Sequence, residues 1–298
     1  MTPPPRIALV TCSQVPEGTD DDAPLRAALP GSATVVWDDD GVDWDAFDLV
    51  VVRSTWDYVV RDAEFRAWAR SVPRLVNSAD VLAWNTDKAY LADAEAAGLP
   101  IIPTTFVAPG EAFAAPDGGR PYVVKPNVSV GARDTLRAQP GARDAARAAA
   151  LVGELHAVGR TALVQPHVAS VDERGETGLY FYAGRFSHAI GKGAVLQPGA
   201  DVARDLTLAL NQRVWAREPS AAERDVAGRA VRWLAERFRA VPPYARIDLV
   251  LGDDGAPQIL ELELTEPSMW FAYADAGAPR RFAAVLQRLA AARRAAAA

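Results

Sequence analysis

The chain has 298 residues, half of them hydrophobic, enough for a buried core and for two or three lobes. Its formal charge of −6 argues against a nucleic-acid partner, its single cysteine excludes an internal disulfide, and no run is long and apolar enough to span a membrane. The opening MTPPPR lacks the apolar core of a signal peptide, so the expectation is a cytoplasmic protein that binds neither nucleic acid nor membrane.

Residues 6–12 (RIALVTC) form a short apolar run that predicts a buried parallel strand. An acidic, loop-like stretch follows, then a helix over 23–29 and strands over 33–37 and 49–53. Helical spacing returns at 62–69, and 74–77 is a short strand. This alternation predicts a small doubly wound domain, in which ligands lie beyond the carboxyl ends of the strands. Arg53, Ser54, Thr55, Trp56, Asp57 and Tyr58 occupy such a position. Arg53 there would hold a carboxylate through two parallel bonds, and Asp57 an ammonium group. The plainer alternative is an internal Arg53–Asp57 pair closing a loop.

A helix is expected over 85–98, stopped by Gly98 and Pro100, with Lys88 in its first turn. A lysine there opposes the helix dipole, a conflict that a bound phosphate would resolve and that a solvated side chain would also tolerate. Residues 122–125 form a strand ending on Lys125. The Ser129–Ala132 segment that follows is small enough to bring backbone amides to a phosphate, although the G-x-x-x-x-G-K-[ST] loop is absent. A helix over 142–155 precedes a strand over 161–168, whose Gln165-Pro166 end leaves backbone that could pair with a purine edge. Residues 177–192 read as a hairpin with Ala183-Gly184 near its turn and Lys192 at its end. The polar stretch 193–220 reads as a mobile loop, 223–238 as an amphipathic helix, and 280–298 as a last helix frayed at its Ala/Arg tail.

The segment from Tyr244 to Trp270 carries the densest charge pattern. Two apolar runs flank Asp254-Gly255, a two-residue type I′ turn signal. With that turn, Asp248 faces Glu261 and Arg246 faces Glu263, all on one face, while Ile247, Leu249, Leu260, Leu262 and Leu264 take the other. Three carboxylates at that range disfavour joint ionisation unless a cation compensates, and a hard divalent ion suits oxygen ligands. A solvated hairpin face with one Arg–Glu pair is the bland alternative. The three histidines are scattered, and no nucleophile elbow is present.

Taken together, RSTWDY, NTDK, VVKPNVSVGARDT and ELELTEPS resemble the ATP-grasp carboxylate–amine ligases across nearly the whole chain, and within them a small cyclo-ligase subgroup. The resemblance implies an α/β ATP-grasp fold: an N-terminal Rossmann-like domain (1–84) followed by two α+β lobes (85–165 and 166–298) clamping ATP. It implies that Lys88, Lys125 and Ser129 contact the phosphates, and that Gln165 and Val168 form the hinge beside adenine. Glu173 or Glu176 would bind the ribose, with Glu173 preferred. Asp248, Glu261 and Glu263 would hold Mg²⁺, and Lys192 and Arg246 would serve the reacting groups. Arg53, Thr55, Trp56, Asp57, Glu266 and Ser268 would meet a small amino-acid-like substrate. The only macromolecular partner expected is a second copy of the chain, as a homodimer. Two departures stand out: Glu263 replaces the Asn of the family's E-x-N metal motif, and Pro267 falls one place late. The implied reaction makes an acyl phosphate that a nitrogen then attacks, with the SVGA segment and the 193–220 loop as lids. An intermolecular ligase and a non-enzymatic nucleotide-binding module are the rival readings.

Overall fold

The computed structural model describes residues 4–204 and 211–297. Strands β1 (Ile7–Thr11), β2 (Ala33–Val36), β3 (Leu49–Ser54) and β4 (Leu75–Val76) form a parallel sheet in the order β2-β1-β3-β4. β1 and β3 are buried along their whole length because both faces of the sheet are covered. Ala8, Val10, Val50 and Val52 pack with Phe65 and Ala69 of α2 (Asp62–Ser71). Ile7, Leu9, Leu49 and Val51 face α8 (Ala278–Ala297), the last helix of the chain. α1 is Ala23–Ala28.

The predicted helix over 85–98 is two helices, α3 (Ala79–Asn85) and α4 (Tyr90–Ala96). Lys88 lies in the turn between them, not in a first helical turn, so the dipole conflict expected there does not arise. A four-stranded sheet follows, ordered β5 (Thr105–Val107), β8 (Ala162–Pro166), β6 (Tyr122–Pro126), β7 (Leu136–Ala138), backed by α5 (Ala142–Ala157). After α6 (Ser170–Arg174), an antiparallel sheet runs β11 (Val214–Ala216), β10 (Arg185–Lys192), β9 (Glu176–Tyr182), β12 (Tyr244–Leu251), β13 (Pro257–Glu263), with α7 (Ala221–Phe238) against one face. The β9–β10 turn is Ala183-Gly184, with both residues at positive φ as a type I′ turn requires.

The β12–β13 hairpin has the expected facing pairs, Arg246 with Glu263 and Asp248 with Glu261, but reaches them differently. Its turn is not a two-residue one. The Gly252 amide donates to the Ala256 carbonyl at 2.8 Å and the Gly255 amide to the Gly252 carbonyl at 2.9 Å, with Gly255 at φ +76. The extra loop residue shifts the register by one, and a bulge beyond Asp248 restores it. The bulge turns Leu260 out of the main core, where Ile259 takes its place beside Ile247, Leu249, Leu262 and Leu264. Leu260 packs instead with Ile102, Val168 and Val250.

The 193–220 stretch expected as a loop contains strand β11, paired to β10 next to Lys192; residues 205–210 of that lid expectation lie outside the described residues. The C-terminal tail is anchored: Arg294 pairs with Asp48 at 2.8 Å and Arg293 donates to the Leu75 carbonyl. α8 also joins the parallel sheet to the antiparallel one, since Phe282 stacks on Tyr182 at 4.7 Å and meets Tyr244 edge-on. No helix among the described residues is long and apolar enough to cross a membrane.

Candidate functional site

Strand alternation gathers Arg246 and Asp248 of β12, Glu261 and Glu263 of β13, and Lys192 of β10 on the sheet face opposite α7. Gly178 of β9 lies opposite Asp248; a Cβ there would come within 3.0 Å of Asp248 Oδ1, so glycine leaves room for the carboxylate. Asp248 is fully buried and both its oxygens are engaged. Arg246 Nε reaches Oδ1 at 2.8 Å, while Lys192 Nζ and Arg246 Nη2 reach Oδ2 at 2.7 and 3.0 Å. Lys192 also pairs with Glu176 at 2.7 Å, and Arg246 with Glu263. Lys88 Nζ binds Glu261 at 2.9 Å and the Ser129 carbonyl at 2.8 Å; its backbone amide donates to Asn127. Lys125, at the end of β6, faces the same charges.

Four carboxylates (Glu176, Asp248, Glu261, Glu263) thus meet four cations (Lys88, Lys125, Lys192, Arg246). Burial opposes the charges of Asp248, Glu261, Glu263, Lys125, Lys192 and Arg246, and their partners decide the outcome. Arg246 and Lys192 hold Asp248 below the usual carboxylate range, and Lys88 and Lys125 do the same for Glu261. Glu263 is not rescued: burial, with Asp248 and Glu261 adding to it, pushes it to about 7 despite Arg246. Burial would lower Lys192, but Asp248 and Glu176 keep it above its ordinary value. Lys125 differs. It is 9 % exposed, and its ammonium has no ion pair or hydrogen bond among the described residues. Burial, helped by Lys88 and Lys192, pulls it down to about 8 although Glu261 is near.

One oxygen each from Asp248, Glu261 and Glu263 lies within 4.8 Å of the others. An all-oxygen, mostly anionic donor set of this size fits a hard divalent cation such as Mg²⁺. Glu261 and Glu263 are only half-buried, whereas Asp248 is fully buried.

Of the expected hinge residues, Gln165 is buried in the sheet with its amide on Thr104 Oγ1 at 2.8 Å, and Val168 joins Ile102, Val250 and Leu260 in an apolar patch. The two candidate acids separate: Glu176 joins the charge cluster, whereas Glu173 is exposed on α6. Ser129 is buried, and its neighbours Val128 and Val130 are wedged into the N-terminal core beside Tyr58 and Phe65.

The expectation that Arg53 and Asp57 face one zwitterion is corrected, as is the alternative in which they pair. Asp57 accepts from Trp37 Nε1 at 2.9 Å and lies 3.8 Å from Arg61, on the far side of the segment. Arg53 instead pairs with Asp22 at 2.8 Å and donates to the Pro267 carbonyl at 3.0 Å. The short helical turn after Thr55 rotates the two side chains apart, which strand periodicity could not foresee. Trp56 starts that turn and is half-buried. The acid that does lie on the Arg53 side is Glu266, next to Pro267. Three buried atoms here have no partner among the described residues: Arg53 Nη1, Thr55 Oγ1 and Glu266 Oε2. Burial and Glu263 push Glu266 up to about 8, with the Tyr58 hydroxyl against its carboxylate. Ser268 is half-buried, and its carbonyl takes the Tyr180 hydroxyl at 2.6 Å and Arg246 at 3.2 Å.

Sequence reasoning missed the supports. Asn85 binds the Leu262 carbonyl and the Leu264 amide, and Tyr90 accepts from the Leu262 amide, so α3 and α4 fix the outer edge of β13. Asn85 stands in the NTDK motif, which was signal enough. Asp21 and Asp22 lay in the acidic stretch that read only as a loop.

The N-terminal domain of D-cycloserine synthetase DcsG is the family model that matches, over residues 7–77. The cycloserine biosynthesis protein DcsG of Streptomyces lavendulae is 40% identical over 271 residues, covering 85% of this chain and 87% of that protein. The crystal structure of D-cycloserine synthetase DcsG superposes with a TM-score of 0.85 at 36% identity, over 95% of this chain and 99% of that one. D-alanine–D-alanine ligase from Bacillus anthracis, complexed with ATP, shares the fold at a TM-score of 0.67 and 13% identity, over 99% and 100% of the two chains. The ATP-grasp ligase PsnB shares it at 0.60 and 17%, over 95% and 98%. The cyclo-ligase subgroup that the four motifs indicate is the one these DcsG proteins represent.

Proposed function

This chain belongs to the family of D-cycloserine synthetase, an ATP-grasp ligase, and we propose that it closes the ring of O-ureido-D-serine: ATP converts the carboxylate to an acyl phosphate, the substrate's own oxygen-bound ureido nitrogen attacks it with loss of phosphate, and hydrolysis removes the carbamoyl group from the ring nitrogen. The reaction class is ATP-dependent C–N ligation. The observation that carries the nucleotide assignment is Lys125, a buried lysine whose ammonium makes no ion pair among the described residues although Glu261 is near, adjoining a cluster in which every other cation is paired. A buried unpaired charge is costly, and a phosphate would supply the missing counter-charge.

In this reading the divisions fall near residues 84 and 165, and ATP lies between the β5–β8 and β9–β13 sheets. Lys88, Lys125 and the Ser129 segment bind phosphates, Gln165 and Val168 flank the base, and Glu176 is better placed than Glu173 to reach the nucleotide. Mg²⁺ held by Asp248, Glu261 and Glu263 would supply charge neutralisation at the phosphates. Lys88 and Lys192 exchange their carboxylate partners for phosphate oxygens. Arg246, fixed by Asp248, Glu263 and the Ser268 carbonyl, presents its guanidinium to the reacting carboxylate, so positioning and electrostatics replace a covalent nucleophile. Arg53, Thr55, Glu266 and Ser268 receive the substrate, with the unpartnered atoms of Arg53, Thr55 and Glu266 as binding points. Val128 and Val130, packed on the N-terminal core, shield the site from water that would hydrolyse the activated carboxylate.

The test is ADP release with O-ureido-D-serine as the only amino-acid-like compound. Turnover that follows its concentration and does not require a second amine is expected. ADP release only on adding a separate amine would make the enzyme an intermolecular ligase.

A further inference from the structure

The segment from Thr265 to Phe271 carries Glu266 and Ser268, yet it has no strand or α-helical hydrogen bonding of its own up to Trp270. Its backbone is held by side chains arriving from four directions. From β12, the Tyr244 hydroxyl donates to the Thr265 carbonyl at 2.9 Å. From β3, Arg53 donates to Pro267. From the β9–β10 hairpin, Tyr180 donates to Ser268, and His188 Nε2 lies 3.0 Å from the Met269 carbonyl. Those groups all serve carbonyls. The amides of the segment's second half fall to one residue of the N-terminal domain. Asp21 accepts from the Met269 amide through Oδ2 at 2.6 Å and from the Phe271 amide through Oδ1 at 2.9 Å. Between these amides, Trp270 takes a left-handed backbone at φ +50, a conformation that a non-glycine residue keeps only when its surroundings impose it.

Asp21 is not an isolated contact. Its neighbour Asp22 is buried and pairs with Arg53, whose other end binds the same segment at Pro267. The acidic turn Asp20–Asp22 therefore grips the segment twice, once directly and once through Arg53. Only a carboxylate can do the direct part. Its two oxygens accept from two amides at once, whereas a carboxamide would turn an N–H₂ donor toward one of them.

We propose that Asp21 is a positioning residue for substrate recognition, setting the Glu266–Ser268 segment against the N-terminal domain so that both side chains meet the same amino-acid-like substrate. The inference rests on the reading of Glu266 as a substrate contact. Asp21 itself touches no reacting atom. It acts by fixing the backbone on the far side of the residues that do, and it ties the substrate side of the site to the wall that carries Arg246 through the Ser268 carbonyl.

The experiment is a double-mutant cycle of Asp21→Asn and Glu266→Gln, read as substrate saturation and ATP saturation of ADP release on the full chain. Asp21→Asn is expected to raise the substrate KM at least tenfold and to change the ATP KM less than twofold. Asp21→Glu, which keeps two acceptors, should recover part of the loss. In the double variant the two effects should fall well short of multiplying, because both act through one contact. Fully multiplicative effects, or an equal loss toward substrate and ATP, would overturn the proposal by making Asp21 a general structural support. If Glu266→Gln raises the substrate KM and Asp21→Asn does not, this inference fails alone. If Glu266→Gln leaves substrate saturation unchanged, the underlying reading of the site fails instead. Should Asp21→Asn not fold, Tyr180→Phe removes the hydroxyl tether to Ser268 and is expected to give the same substrate-selective loss; an unchanged substrate KM there would refute it.

Discussion

Lys125→Met separates the two consequences of burying an unpaired cation. The ammonium sits at about 8 against an ordinary 10.5, a depression of some 2.5 units. At about 1.36 kcal/mol per unit, the folded protein carries a penalty of about 3 kcal/mol at neutral pH. Methionine keeps the length of the stem and removes the charge, so the variant without nucleotide is expected to be more stable by up to that amount, a Tm rise of roughly 5 °C. The sign over pH follows from linkage. Below pH 8 both folded and unfolded states hold the proton and the penalty is complete. Between about 8 and 10.5 the unfolded state binds more protons, so the wild type gains stability as pH rises and the gap to the variant narrows. Loss of one charge-assisted bond to phosphate, about 1.5–3 kcal/mol, should at the same time weaken ATP binding roughly 10- to 100-fold. Differential scanning fluorimetry from pH 7 to 9.5 and nucleotide titration at pH 7 measure both. A variant less stable than the wild type at pH 7, with unchanged ATP affinity, would show that Lys125 is a structural lysine and refute the argument.

Glu261→Gln and Glu263→Gln each remove one charge at nearly constant shape; both are expected to abolish most ATP turnover and to shift Mg²⁺ saturation upward, and native turnover in both would dismiss the metal assignment. Arg53→Lys keeps the Asp22 pair within reach but loses the fork that also serves Pro267 and leaves Nη1 free, with about 1–3 kcal/mol at stake. Substrate affinity should fall while nucleotide affinity holds, as separate titrations of the two ligands would show. Glu266, held near 8 by burial and Glu263, keeps a proton in the folded state that the unfolded chain gives up near 4.5. Its contribution to stability therefore declines as pH rises from about 4.5 to 8, and Glu266→Gln should flatten that part of the Tm–pH curve. Superimposable curves for the two proteins would count against it.

Much of this molecule follows from local pattern. The apolar runs within 6–12 and 49–53 read as strands and are buried strands, and the spacing of Arg246, Asp248, Glu261 and Glu263 puts them on one face of a hairpin in any antiparallel pairing with the right register. The register itself shows the limit. Asp254-Gly255 pointed to a two-residue turn; the chain makes a longer one and recovers the facing pairs through a bulge, a correction that depends on packing Ile259 rather than Leu260 into the core. Lys88, Lys125 and Lys192 were legible as separate lysines at element ends, but only the tertiary structure decides which are paired, because charge balance depends on distances between elements far apart in sequence. The substrate face was the least legible. Arg53 and Asp57 share a segment and a complementary charge, yet a turn after Thr55 sends one to Asp22 and Pro267 and the other to Trp37. Long-range contacts such as Asp21 to Met269 join residues 248 positions apart, and no periodicity in a strand or helix encodes them. Sequence pattern fixes which face a residue takes within its own element; folding alone decides which faces meet.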